Sequence, residues 1–195
     1  MAYPTVDKPY GFQPVNLIGG QVYAGSTRLM PIASGYATSI YYGDVVKRVS
    51  NGTIEKDTGT GTATPVGIFL GCTYTNPTTS QKTFAQYYPA STAAPDIQAY
   101  VVDDPDVLVQ NAGSNNTGDS AVGIFGGNTA VTASFPIRIV DLVPDTSNGS
   151  NGYCEFICKF NAPYAVTTVT VNLAGANTAV TTMTGGHAYL NPTGV

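Results

Sequence analysis

Turn-forming residues punctuate this chain at short intervals, and the runs between them are too short and too β-branched for helices. Gly19-Gly20, Asn51-Gly52, Asn76-Pro77, Asn148-Gly149 and Asn151-Gly152 separate apolar or aromatic segments at 15–18, 27–32, 44–49, 66–74, 82–88, 97–102, 137–142 and 153–160. Such segments, bounded by turn chemistry, read as strands. No stretch of a dozen residues carries an i, i+3, i+4 apolar stripe free of Gly, Pro or β-branched clusters. The best short-helix candidate is 103–110, where Pro105 suits a first helical turn but Val107 and Val109 favour a strand. Strands with no helices between them predict an all-β chain, an antiparallel barrel or sandwich. The sharpest hairpin signal is Val49-Ser50-Asn51-Gly52-Thr53-Ile54, where Asn-Gly suits a type I′ turn.

With 195 residues, 43 % of them hydrophobic, the chain can bury a full core. Only 10 % of its residues are charged, against about a quarter in an ordinary soluble domain. A free monomer keeps a well-charged surface, so this composition points to a chain packed against other proteins, a built structure rather than an enzyme. The eight Lys and Arg are scattered and the net charge is −4. No basic stripe for nucleic acid and no polybasic membrane anchor is present. No apolar run approaches the ~20 residues of a spanning helix. Residues 1–8 lack a basic stretch followed by an apolar one, so synthesis in the cytoplasm without a Sec signal is expected.

Composition divides the chain into three parts. Residues 1–9, with Pro4 and Pro9, read as a short N-terminal arm, and 10–163 as the β body, with a Gly-, Asn- and Ser-rich insertion at 111–132. From 160 to 195 there is no Asp, Glu, Lys or Arg, and His187 is the one titratable side chain apart from tyrosine. Val169, Val171 and Leu173 alternate with Thr168, Thr170 and Asn172, a strand with one apolar face. The rest of 164–195 cannot bury a core alone and reads as an extended C-terminal arm that reaches a neighbour.

Few residues could carry chemistry. Cys72, Cys154 and Cys158 make no disulfide framework. In a strand Cys154 and Cys158 would stand roughly 13 Å apart, so all three read as buried free thiols. Asp103-Asp104-Pro105-Asp106 could offer hard oxygens to a cation but lacks EF-hand spacing; its plainer reading is a turn whose carboxylates cap local N–H groups. His187 has no Gly-x-Ser-x-Gly elbow to serve, and one His with three scattered Cys makes no zinc site. Gly59-Thr60-Gly61-Thr62 and Gly123-Ile124-Phe125-Gly126-Gly127 lack the lysine and the strand–turn–helix setting of phosphate loops. No catalytic, metal or cofactor residue is therefore assigned. The tyrosine pairs Tyr41-Tyr42 and Tyr87-Tyr88 each predict one inward and one outward ring. The outward rings suit either cross-strand packing or contact with a sugar or protein.

A wider pattern runs over residues 10–110: Gly11-Phe12-Gln13-Pro14, Gly19-Gly20, the stretch Pro31 to Ile40, Tyr42-Gly43-Asp44-Val45-Val46, Asn51-Gly52-Thr53-Ile54, Pro65 to Tyr74, and Tyr100-Val101-Val102-Asp103-Asp104-Pro105. It resembles the head cement or decoration proteins of tailed bacteriophages, small structural proteins of the virion. The resemblance implies a homo-oligomer bound to the major capsid protein on the outer surface of the head, at junctions between capsomers, where it stabilises the shell. It carries no catalytic residues and does not extend past Thr117. A rigid body with arms suits that role, since several weak contacts add up when tethered and a strand can extend a neighbour's sheet. The expected contact residues are Tyr3, Phe12, Val169, Val171, Leu173, Tyr189 and Leu190. The competing expectation is a carbohydrate-binding or adhesin-like β module of a tail or fibre, with exposed tyrosines gathered on one face.

Overall fold

The computed structural model describes residues 11–58, 64–112, 137–143, 155–160, 167–173 and 176–182. Among them there is no helix, and every strand pairing is antiparallel. In chain order the strands are β1 (Gln13–Leu17), β2 (Arg28–Pro31), β3 (Val45–Arg48), β4 (Ile54–Lys56), β5 (Pro65–Thr75) and β6 (Lys82–Ala85). They continue as β7 (Gln98–Val102), β8 (Val107–Ala112), β9 (Ile137–Leu142), β10 (Glu155–Phe160), β11 (Thr167–Leu173) and β12 (Ala176–Thr182). A six-stranded sheet runs β2-β7-β5-β3-β4, with β6 also paired to β5; a four-stranded sheet runs β1-β8-β10-β9; β11 and β12 form a sheet of two.

Strand β5 organises the body. It pairs β7 along one edge, and β3 then β6 along the other. Nearly all of its residues are buried, and over Val66–Leu70 they feed both cores, Val66 and Phe69 the first and Ile68 the second. A strand of that kind reads as a continuous apolar run rather than an alternating one. Two glycines let its neighbours approach: a Cβ on Gly67 would come within 2.2 Å of the Val102 carbonyl oxygen, and one on Gly71 within 2.8 Å of the Ala85 carbonyl oxygen. Register shifts at Val46/Lys47 and Phe69/Gly71 bend the strand there.

The six-stranded sheet curls until β2 and β4 nearly meet, joined by one parallel bridge between Ile32 and Ile54. Inside the curl lies the first core, with Met30, Ile40, Val46, Ile54, Phe69, Tyr88, Ile97 and Val101 fully buried. Tyr88 donates its hydroxyl to the Tyr36 carbonyl at 3.0 Å, so the one polar atom of this buried ring is satisfied. One bridge is not a closed ladder, and the body is an open, two-layered β structure rather than a closed barrel. The second core joins the layers: Val45, Ile68 and Val102 of the six-stranded sheet meet Val107, Val109, Cys158 and Phe160 of the four-stranded one, with Phe12 among them.

The strand segments expected from the turn signals recur as β1–β3, β5–β7, β9 and β10, with ends shifted by a few residues. Three local readings change. The 103–110 segment is not helical: Asp103–Asp106 turn and β8 begins at Val107, as its valines favour, and β8 takes in Asn111 and Ala112 from the expected insertion. The 49–54 hairpin forms, but its turn is not type I′. Gly52 alone there has positive φ (+86°), and its N–H donates to the Val49 carbonyl at 2.9 Å while the Val49 N–H donates to the Thr53 carbonyl at 3.0 Å. That is a three-residue loop closed by a glycine bulge. Asn51 instead spends its side chain on Thr53, accepting from both the N–H and the hydroxyl. Finally, Thr167–Leu173 and Ala176–Thr182 of the expected C-terminal arm pair with each other, β11 with β12. The arm at 1–9, the insertion from 113 to 132 and the turns at 59–62 and 123–127 lie outside the described residues.

Candidate interaction surface

Four ion pairs stand out among the described ionisable groups of the body. Lys56 Nζ lies 2.7 Å from Asp44 Oδ2, Lys82 Nζ 2.7 Å from Asp96 Oδ2, Arg28 Nε 2.8 Å from Asp103 Oδ2, and Lys159 Nζ 2.7 Å from Asp106 Oδ1. Each pair joins segments distant in sequence, and among the described residues no three His, Cys, Asp or Glu gather as metal ligands. In the acidic turn Asp103 and Asp106 face different bases, and Asp104 accepts the Asp106 N–H at 2.9 Å. The carboxylates thus hold a turn and dock it on two neighbouring strands.

Asp96 is the most perturbed acid. Its carboxyl is held well below the usual carboxylate range, first by Lys82 and then by the N–H and hydroxyl of Thr75. Burial alone pushes the Cys72 thiol up to about 11 and the Cys158 thiol up to about 12, so both are buried, protonated thiols. Cys154 and His187 lie outside the described residues.

The Tyr87-Tyr88 pair divides as strand geometry predicts, with Tyr88 in the core and Tyr87 exposed. Tyr87 stacks on Tyr41, ring centroids 6.0 Å apart and planes 16° apart, and Lys56 Nζ sits 5.6 Å from the centre of the Tyr41 ring. Tyr41 and Tyr42 are both half-buried, so that pair does not divide. Among the described tyrosines Tyr87 alone is exposed.

Apolar side chains left open to solvent mark the surface more clearly. Phe84 on β6 is 71 % exposed and Leu29 on β2 54 %, both strands lying on the border of the six-stranded sheet. Ile139 and Val140 stand exposed on β9, the last strand of the four-stranded sheet. Large exposed apolar groups mark contact sites when they gather, and unpaired strand edges are templates for added strands.

Of the contact residues expected from the sequence, Phe12 is corrected. It is fully buried in the core between the layers, where a side chain of its size contributes about 1.5–3 kcal/mol, and it has no surface to offer a partner. Its backbone explains the placement: the Phe12 N–H donates to the Gly43 carbonyl at 2.9 Å, which draws the start of β1 over the six-stranded sheet. Val169, Val171 and Leu173 lie on β11 opposite Val180, Thr178 and Ala176, at register positions on one face of the hairpin. Tyr3, Tyr189 and Leu190 lie outside the described residues.

Phe84 and Leu29 were not singled out by sequence reasoning. Simple alternation through 82–88 puts Phe84 on the same face as the buried Tyr88. The strand instead ends at Ala85, and Gln86 and Tyr87 are both exposed before Tyr88 turns inward. Comparison with known protein families, with curated proteins and with solved structures returned no match.

Proposed function

We propose that the chain is a capsid decoration protein of a tailed-bacteriophage head, bound to the outer surface at capsomer junctions, where it stabilises the shell. Its partners in this reading are the major capsid protein and further copies of itself. The observation that carries the proposal is the uneven distribution of polarity: a β body that carries all the Asp, Glu, Lys and Arg side chains beyond the first nine residues, four oppositely charged couples among them, with Leu29 and Phe84 left open on its border, joined to a segment at 160–195 without Asp, Glu, Lys or Arg. Surfaces of that kind suit a protein that works covered by neighbours, because interface centres are depleted in charge. The resemblance over residues 10–110 points the same way.

A glycan-binding module is less well supported. It needs exposed tyrosines gathered on one face, whereas Tyr87 is stacked on Tyr41 and is the one exposed tyrosine among the described residues. Co-sedimentation of the full chain with undecorated heads of its own phage tests the proposal. Saturable recovery with the heads is expected, and a chain that stays in the supernatant at micromolar concentration overturns it.

A further inference from the structure

The six-stranded sheet has one face inside the curl and another facing the four-stranded sheet, and among the described residues the four-stranded sheet packs on one end of that second face. There Val45, Ile68 and Val102 lie under β8 and β10. Beyond the Phe69/Gly71 bulge the border of the same face is open: Leu29, Pro31 and Phe84 are exposed and Gln98 and Tyr100 half-buried, while Thr73 between them is buried among its neighbours. Gln98 and Tyr100 alternate with the inward Ala99 and Val101, and Thr73 alternates with the inward Cys72 and Tyr74. Pairing extends these into two rows across the sheet: Pro31, Gln98, Thr73 and Phe84 in one, Leu29, Tyr100 and Gly71 in the other. No side chain in these rows is charged. Lys82 stands at the far border and is neutralised by Asp96.

The β11–β12 hairpin has the complementary need. It is a two-stranded sheet on its own, and such a hairpin is marginal in water without a layer to pack on. Its register gathers Val169, Val171, Leu173, Val180, Thr178 and Ala176 at positions on one face, five of the six apolar. It lies within the segment that has no Asp, Glu, Lys or Arg, so laying it on the open rows would bury no unpaired charge of its own.

We propose that the open end of this sheet face receives the β11–β12 hairpin of a second copy of the chain, each subunit giving a hairpin to one neighbour and taking one from another. The hairpin then continues the layer that the four-stranded sheet begins. This rests on the self-association included in the functional reading above. It is measured without heads, so its failure leaves head binding untouched.

Light scattering on the purified full chain and two variants tests it. Phe84→Glu spoils the receiving face at an exposed position and keeps the hairpin, while Val171→Asp spoils the hairpin and keeps the face. The full chain is expected above its 20.2 kDa monomer mass, each variant alone at the monomer mass, and an equimolar mixture of the two as a heterodimer, because one intact hairpin then meets one intact face. Leu29→Glu is expected to behave as Phe84→Glu does, and circular dichroism checks that each variant remains a β protein. A full chain that stays monomeric, a Phe84→Glu chain that assembles like the unaltered one, or a mixture that stays monomeric overturns the proposal. The first and last of these together are the outcome if each hairpin folds back onto its own subunit.

Discussion

Lys56 Nζ and Asp44 Oδ2 are 2.7 Å apart with both side chains buried, Asp44 completely. The same Asp44 oxygen accepts the Tyr41 N–H at 2.8 Å, and the Asp44 backbone carbonyl accepts the Phe69 N–H at 2.9 Å. One residue thus ties β4, the turn before β3, and β5. Removing one member of a buried pair strands the other charge, which costs about 3–5 kcal/mol, whereas replacing both by apolar groups is often neutral. Asp44→Ala is therefore expected to lower the stability measured by urea unfolding by that amount. An Asp44→Leu, Lys56→Met double variant is expected to lose less than either single change. Equal losses summing in the double variant would contradict this.

Gly43 and Gly11 cross at van der Waals contact, both at positive φ, and a Cβ on Gly43 would sit 2.7 Å from the Phe12 nitrogen. Gly43→Ala is expected to destabilise by at least about 1–3 kcal/mol, the cost of a strained backbone. Gly35 also has positive φ but open space around it, so Gly35→Ala should cost less. A reversed order would show that crowding at the crossing is relieved by movement.

Acid should weaken the contact between β5, β6 and the turn before β7. The Asp96 carboxyl is held below its ordinary value in the folded chain, so its contribution is fully present above the unfolded value of 3.8 and fades as pH falls below it. Asp96→Asn is expected to lower the melting temperature at neutral pH, where the ionised carboxylate contributes, and to flatten its fall below about pH 4. An unaltered acid limb would remove Asp96 from this role.

The thiols offer a probe of the cores. Cys72 and Cys158 are buried on separate sides of the six-stranded sheet, with their thiols raised to about 11 and about 12. Thiolate is the reactive form, so at pH 8 at most one thiol of the native chain is expected to react promptly with Ellman's reagent, and all three after unfolding. Prompt reaction of two would place one of these cores in contact with solvent.

Local chemistry made the strands legible, and long-range pairing was what it could not convey. Asn51-Gly52 announced a hairpin, yet the turn type depended on Asn51 binding Thr53 rather than adopting positive φ. The apolar run from Val66 to Leu70 announced a strand, but not that this run would be covered on both faces, since that follows from where β8 and β10 dock. Phe12 looked like a free aromatic near the N-terminus because nothing local reveals that Gly43 accepts its N–H. Phe84 stayed hidden because β6 stops at Ala85. The lack of charge after Phe160 was plain from the residues alone.

Electron cryomicroscopy of phage heads saturated with the full chain, compared with undecorated heads, tests the decoration reading most directly. Added density is expected on the outer surface at junctions between capsomers, with heads that withstand heating better. Density on the tail or fibres, or none on the head, would contradict it.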